Sequence, residues 1–405
     1  MKKIFITAAV FVGTAIPLLF SPSPASAATA AASTAATAST GKFYYGAWVP
    51  YWQQQPGEED IAVHLDSLNE LSPFSYEVAA DGTIIDDLGI GSGSWSGWLE
   101  AVHDFGEKIT PTIAWFNGNQ IYNLLSNTKK RQAEENTVTQ LVKTQGFDGI
   151  DIDFEEMTAA TKPYFSLFIE GLAIRLHPLG KTVTCTLEPL TPAADLAGSV
   201  GSNAEYTEDY ATLNQYCDEI RIMTYDQGTI DLPLDAEKGN GTLYAPVADP
   251  AWEQAVIQQT LQYISPKKIM LAIPTYGYEY EVSWVNGVTT YQRVRAFDYM
   301  DAMDRADSLG IEPTRDNADE LSFTYASTTY IPEPPSLTYT TFSTEPAALM
   351  NPNPNATTTF FVTFPDSQTM DDEIALAKKY DLRGVMIFKA DGDIDPAIWG
   401  TMALH

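Results

Sequence analysis

The chain has 405 residues, 44% hydrophobic and 12% aromatic, enough to bury one large core or two ordinary ones. Its 53 acidic residues against 23 basic ones give a formal charge of −30. That balance excludes nucleic acid and anionic membrane as natural partners and suits a neutral or cationic polymer, or simply a surface charged for solubility.

Residues 1–27 read as a signal peptide: Lys2 and Lys3, an apolar run from Ile4 to Phe20, then Ala25-Ser26-Ala27 as the cleavage site. The run is short for a membrane span and contains Pro17, so a secreted, extracytoplasmic protein without stable membrane insertion is expected. Residues 28–41 form an Ala/Thr/Ser-rich leader without periodicity. The remainder, 42–405, reads as one catalytic-size domain. The only two cysteines, Cys185 and Cys217, make neither a disulfide framework nor a metal cluster. Each lies inside an apolar run and is read as a buried free thiol, with a bond between neighbouring strands as the alternative.

Eight apolar runs follow in order: Phe43–Trp52, Phe74–Val78, Lys108–Phe116, Gly149–Phe154, Thr182–Leu187, Ile220–Tyr225, Lys268–Tyr276 and Leu382–Phe388. Helical patterns separate several of them. Phe165, Phe168, Ile169, Leu172 and Leu176 make a helical stripe. Asp249-Pro250 starts another helix, and Thr369 with Asp372 resembles a capping box before a third. Eight strand–helix alternations predict an α/β fold of the (β/α)8 TIM-barrel type. From about 281 to 365 the composition turns Thr/Tyr/Pro-rich, with strand-like pieces at Leu321–Tyr325 and Thr358–Phe364 and a loop at 351–355. This predicts a small α+β insertion between strand 7 and its helix, which would either wall one side of a cleft or stabilise the barrel as a lid without substrate contact.

The fourth run carries the chemistry. In FDGIDIDFEE, Asp151, Asp153 and Glu155 share one strand face, and Ile150, Ile152 and Phe154 the other. Successive acids stand about 6.6 Å apart along the strand. Exposed, they form an ordinary charged strand face. Enclosed, they cannot all ionise near neutral pH, and one keeps a proton. A protonated carboxyl beside charged ones suits acid catalysis on a glycosidic bond. The spacing is not that of a calcium loop. Barrel chemistry sits at the carboxyl ends of the strands, where Glu155 falls.

The pattern resembles glycoside hydrolase family 18, the chitinase family. Its strand-4 motif D-x-x-D-x-D-x-E stands here as Asp148, Asp151, Asp153 and Glu155, and its M-x-Y-D motif as Met223, Tyr225 and Asp226. LAIPTYGY and GAWVPYW resemble its strands 7 and 1. The resemblance implies a substrate-assisted retaining mechanism, in which the substrate's 2-acetamido oxygen is the nucleophile. Glu155 would be the acid and then the base. Asp153 would orient the acetamido group, Asp151 would share a proton with Asp153, and Tyr225 would bond the acetamido oxygen. Asp226, Met223, Phe388, Tyr276, Trp48 and Trp115 would contact sugar. Asp148 has the wrong parity to face inward and is expected to be structural. No metal or organic cofactor is implied. A protein nucleophile, were there one, would be Glu188 or Glu279.

Two departures stand out. Strand 3 reads PTIAWFNG instead of S-x-G-G, and Phe388 replaces the strand-8 Trp. Loss of S-x-G-G, with FTY at 323–325 and DLRGVMIF at 381–388, resembles the bacterial branch that acts on peptidoglycan or spore cortex. The expectation is a monomeric glycosidase cutting β-1,4 bonds next to N-acetylglucosamine, in chitin-type oligomers or peptidoglycan. The rival is a sugar-binding barrel without catalysis, which would typically lack the acid at 155.

Overall fold

Eight parallel strands close into a barrel in the computed structural model, which describes residues 42–91, 94–190, 207–230, 238–239, 241–285, 288–327 and 358–404. The signal peptide and leader expected over 1–41, and the loop at 351–355, lie outside the described residues. The barrel strands are β1 (Tyr44–Pro50), β2 (Glu70–Val78), β3 (Thr112–Trp115), β4 (Gly149–Phe154), β5 (Thr182–Leu187), β6 (Glu219–Met223), β7 (Ile269–Pro274) and β8 (Gly384–Phe388). Each pairs in parallel with its sequence neighbour, and β8 returns to β1, so the barrel has no open edge.

Register decides what faces the interior. Thr112, Asp151 and Thr184 lie side by side, as do Ala114, Asp153 and Thr186. Neighbours in a parallel ladder share a face, so these fill the barrel together with Trp48, Ser72, Arg221, Met270 and Met386. The opposite face is apolar and meets the helices. Phe154 stacks on Phe168 at 5.6 Å between ring centroids, and Phe165 lies 6.1 Å away. All five residues of the predicted stripe are buried on the helix Lys162–Leu176. Each such side chain contributes roughly 1.5–3 kcal/mol relative to exposure.

The third run splits in two, Lys108–Ile109 and β3, because Pro111 has no N–H to give the ladder. Asp249 caps the helix Pro250–Thr260 as expected, accepting from the amides of Ala251 and Trp252. The box before the helix Ser367–Lys379 is formed differently: Asp366 is the cap and Thr369 its third residue, with Arg315 holding Asp366 from outside at 2.7 and 3.1 Å. The sequence pattern was displaced by three residues because Asp366 offers the stronger acceptor.

The insertion is an antiparallel sheet, ordered 288–298, 276–285, 358–364, 321–327, 314–315, with the helix Tyr299–Leu309 packed on it. Its first strand, Tyr276–Val285, starts earlier than residue 281, directly after β7. Thr275 locks that junction, donating its amide to the Phe388 carbonyl at 2.9 Å and its hydroxyl to the Lys389 carbonyl at 2.6 Å. Glu320, fully buried, anchors the sheet to the barrel by accepting from the amides of Val247 and Ala248 and the Thr363 hydroxyl.

The cysteines are bonded, contrary to the free-thiol reading. Cys185 on β5 and Cys217, just before β6, face each other with Cα atoms 6.2 Å apart, inside the range a disulfide spans. The sequence separation of 32 hides this proximity. Replacing both by Ala should lower stability by about 2–5 kcal/mol in denaturant unfolding.

Candidate active site

The strand β4 delivers Asp151 and Asp153 to the barrel interior and Glu155 to its mouth. The Glu155 amide is fixed by the Trp115 carbonyl at 2.9 Å. Ala114, a small side chain, is the neighbour of Asp153 on β3. Directly after the acid, Glu156 takes φ 56°, and directly after Tyr225, Asp226 takes φ 65°. Left-handed backbone costs a non-glycine residue roughly 1 kcal/mol or more, and two of the four such residues among those described border this mouth.

Three acids therefore meet in little water. Burial is the first cause that pushes each upward. Asp153 lies well above the usual carboxylate range through burial and then the charges of Glu155, Asp151 and Glu188. Glu155 is pushed up to about 8 by burial and then by Glu188, Asp226 and Glu156. The Asp153 Oδ1 atom is buried without a hydrogen-bond partner. An orphaned acceptor of this kind costs on the order of 1–3 kcal/mol unless a donor arrives. The site is thus built to receive one.

Tyr225 lies across from the acids, 8% exposed, its hydroxyl pushed up by burial and then by Asp153 and Glu155. It stays protonated and can donate. Its ring stacks on Phe388 at 5.5 Å, and Tyr276 stands edge-on to both at 6.0 Å. Met223 belongs to the same cluster. Asp226 accepts from the hydroxyls of Tyr276 at 2.7 Å and Tyr278 at 2.5 Å, both on the first strand of the insertion. The Arg293 guanidinium lies over the Tyr278 ring at 4.9 Å. The insertion therefore walls the mouth, one of the two roles its position in the sequence allowed.

Two expected sugar contacts are placed elsewhere. Trp48 is 1% exposed in the barrel interior, its indole N–H donating to the Thr112 hydroxyl at 2.9 Å. It offers no face to a ligand. Trp115 pairs with Phe154 in register and so points outward, packing edge-on against it at 5.4 Å; parity along β3 excludes it. Asp148 lies at the opposite end of β4, accepting from the Ile109 amide at 2.9 Å and paired with His103 at 2.7 Å. Glu279 is on the far face of the insertion sheet from Tyr278, occupied by Arg295 at 3.0 Å and by the Tyr325 hydroxyl, so it is no nucleophile for this mouth. Glu188 remains at the mouth, felt by both Asp153 and Glu155.

The sequence reading passed over Arg221. It is fully buried on β6, inward like Met223, and reaches Asp151 at 3.1 Å, Glu70 at 2.8 Å and Glu219 at 3.0 Å. A lone arginine at an inward position of the apolar strand EIRIM was the available signal.

Glu155 holds a proton in the folded state up to about pH 8, whereas an unfolded glutamate loses it near its ordinary value of 4.5. Between those values the native state binds more protons, so stability falls as pH rises. Glu155→Gln does not titrate. Its stability relative to wild type should rise from pH 4.5 to 8 by on the order of 2 kcal/mol, allowing for solvent at the mouth, in paired urea unfolding curves.

Residues 105–393 match the family described as Glycosyl hydrolases family 18. The chain is 26% identical over 226 residues to the cortical fragment-lytic enzyme of Bacillus anthracis, covering 54% of this chain and 47% of that protein. It spans about half the length of the curated relatives it matches. Its fold resembles that of the spore cortex-lytic enzyme SleL of Bacillus cereus, with TM-score 0.65 and 18% identity over 89% of this chain and 74% of that one. It equally resembles a chitinase of Chromobacterium violaceum, with TM-score 0.66 and 18% identity over 89% and 98%. With the acids, the tyrosine and the insertion wall in place, the match over most of the barrel establishes that this chain belongs to glycosyl hydrolase family 18.

Proposed function

We propose that the protein is a secreted glycosidase that cleaves β-1,4 bonds next to N-acetylglucosamine, in peptidoglycan or chitin-type oligomers, with retention. The observation that carries this reading is the enclosed Asp153–Glu155 pair facing Tyr225, with the acid raised to about 8 and an unpartnered aspartate oxygen beneath it. A carboxyl protonated at neutral pH can give its proton to a leaving oxygen.

The steps of this reading take the substrate-assisted scheme that the family resemblance implies and assign it to the residues at the mouth. Glu155 protonates the glycosidic oxygen while the acetamido oxygen of the same sugar attacks the anomeric carbon. The acetamido N–H satisfies Asp153, and the Tyr225 hydroxyl holds the acetamido oxygen. Glu155, now a carboxylate, takes a proton from the water that opens the oxazoline. Tyr276 and Phe388 supply apolar faces for the reacting sugar, and Asp226, held by two tyrosines, accepts from a sugar hydroxyl. Export is supported by the N-terminal pattern of residues 1–27 and by the disulfide, which persists in oxidising compartments. The cortex-lytic and chitinase names of relatives supply the two substrate classes.

The test is turnover of chitooligosaccharides and purified peptidoglycan, with products identified by mass spectrometry. Glu155→Gln should lose roughly 10²–10⁴ in kcat with the fold and sugar binding kept. Wild-type rate in that variant removes Glu155 from the mechanism, and binding without product from either polymer favours a lectin-like barrel. The wild-type rate should fall above about pH 8, as the acid loses its proton. Glu188→Gln should keep most of its rate while that alkaline limb moves down, since Glu188 is a neighbouring charge and not the nucleophile.

A further inference from the structure

The floor beneath the acids differs from what the family pattern implies for Asp151. Asp151 is fully buried, and its neighbours are donors. Thr112 gives its hydroxyl proton to Asp151 Oδ2 at 2.8 Å, while the Trp48 indole N–H takes one lone pair of the Thr112 oxygen at 2.9 Å. Arg221 Nη1 donates to the same Oδ2 at 3.1 Å. Thr186 donates its hydroxyl to Oδ1 at 2.8 Å. Three side chains thus deliver protons to one carboxyl group, an environment that fits a carboxylate, which only accepts.

We propose that Arg221 is a positioning residue: it holds Asp151 as a fixed carboxylate under the site, so that Asp153 and Glu155, and not Asp151, carry the site's protons. This deepens the glycosidase reading and rests on it for the catalytic consequence. The charged groups facing Asp151 are Arg221 and Glu219 from β6, Glu70 from β2 and Asp153 from its own strand. Arg383 completes the set by holding Glu219 from outside at 2.8 Å. Burial leaves the Asp151 carboxyl above its usual range; Arg221 and the two threonine hydroxyls oppose that rise, and Glu219 adds to it. Trp48 covers Arg221, its ring 5.0 Å from the guanidinium, which keeps water from competing for the ion pair. A permanent negative charge one layer below then adds to the rise of Asp153, after burial and the charge of Glu155.

Asp151→Asn removes that charge and keeps the shape. The alkaline limb of kcat should move down by about one pH unit. The infrared difference spectrum against wild type at pH 7 should show loss of a carboxylate band and no loss of a protonated-carboxyl band. An unmoved limb together with a lost protonated-carboxyl band overturns the proposal, because Asp151 would then hold the proton. Removing the guanidinium alone strands Glu70 and Glu219, so Arg221→Met is made together with Glu70→Gln and Glu219→Gln. In that background Asp151 should take up a proton, and adding Asp151→Asn should leave the limb in place; a limb that still moves by the wild-type amount overturns the role of Arg221. Carbon-13 NMR of the wild-type aspartate carboxyls, assigned through the backbone, reads the charge of Asp151 without any substitution. The infrared and NMR arms need no turnover. A wild type that cleaves nothing would therefore sink the glycosidase reading and leave the charge assignment to be decided.

Discussion

A carboxylate cannot be shut inside a barrel without a cation or a proton, and this structure uses both. Closure of the eight strands sends every second residue of β2, β4 and β6 inward, which brings Glu70, Asp151, Asp153 and Glu219 into one enclosed space. Arg221 answers the lower three through direct ion pairs. Burial raises Glu70 to about 7 and Asp151 as well, and Asp153 and Glu155, above Arg221 and without an ion pair of their own, are also raised. The interior is therefore graded along its axis, with its acids ion-paired to one arginine at the floor and left without a cation at the mouth. An apolar floor of equal volume would be as stable or more so, which makes placement of charge, and not stability, what distinguishes the cluster.

The insertion repeats the same alternation for a different end. On its first strand, Tyr276, Tyr278 and Tyr280 face the mouth, while Glu279 turns to the supporting side and is consumed by Arg295 and Tyr325. One strand thus builds a binding wall with one face and its own foundation with the other. The wall is rigidly joined to the barrel at two places, Thr275 against the end of β8 and Glu320 against the turn before the helix Pro250–Thr260. Asp226, in a strained backbone position, is held from this wall by two hydroxyls, so the M-x-Y-D segment is positioned from outside its own strand.

What was readable in the sequence was whatever depends on local period. The eight strands, the inward face of β4 and the Lys162–Leu176 stripe follow from two- and 3.6-residue repeats, and the Asp249 cap from its neighbour Pro250. Trp115 was misplaced despite this, because the parity of β3 relative to β4 is set by register, which its own residues do not encode. Trp48, expected to contact sugar, faces inward but is buried too deep to meet a ligand. The long first hairpin of the insertion was masked by reading Tyr276 as the end of strand 7, although Asn286-Gly287 is a strong hairpin signal. The Cys185–Cys217 bond and the reach of Arg221 to Glu70 are long-range facts, fixed by barrel closure alone. Composition favours neither.

The bond between Cys185 and Cys217 has one more result. It encloses every peptide link from 185 to 217, a separation of 32, and it joins the outward face of β5, level with Ile152, to the residues just before β6. A protease that nicked this arc once would generate two polypeptides still covalently tethered, with β5 and β6 side by side. Because the tether also prevents the pieces from diffusing apart after a transient opening, a cut that would release a fragment from an unbridged chain becomes survivable here.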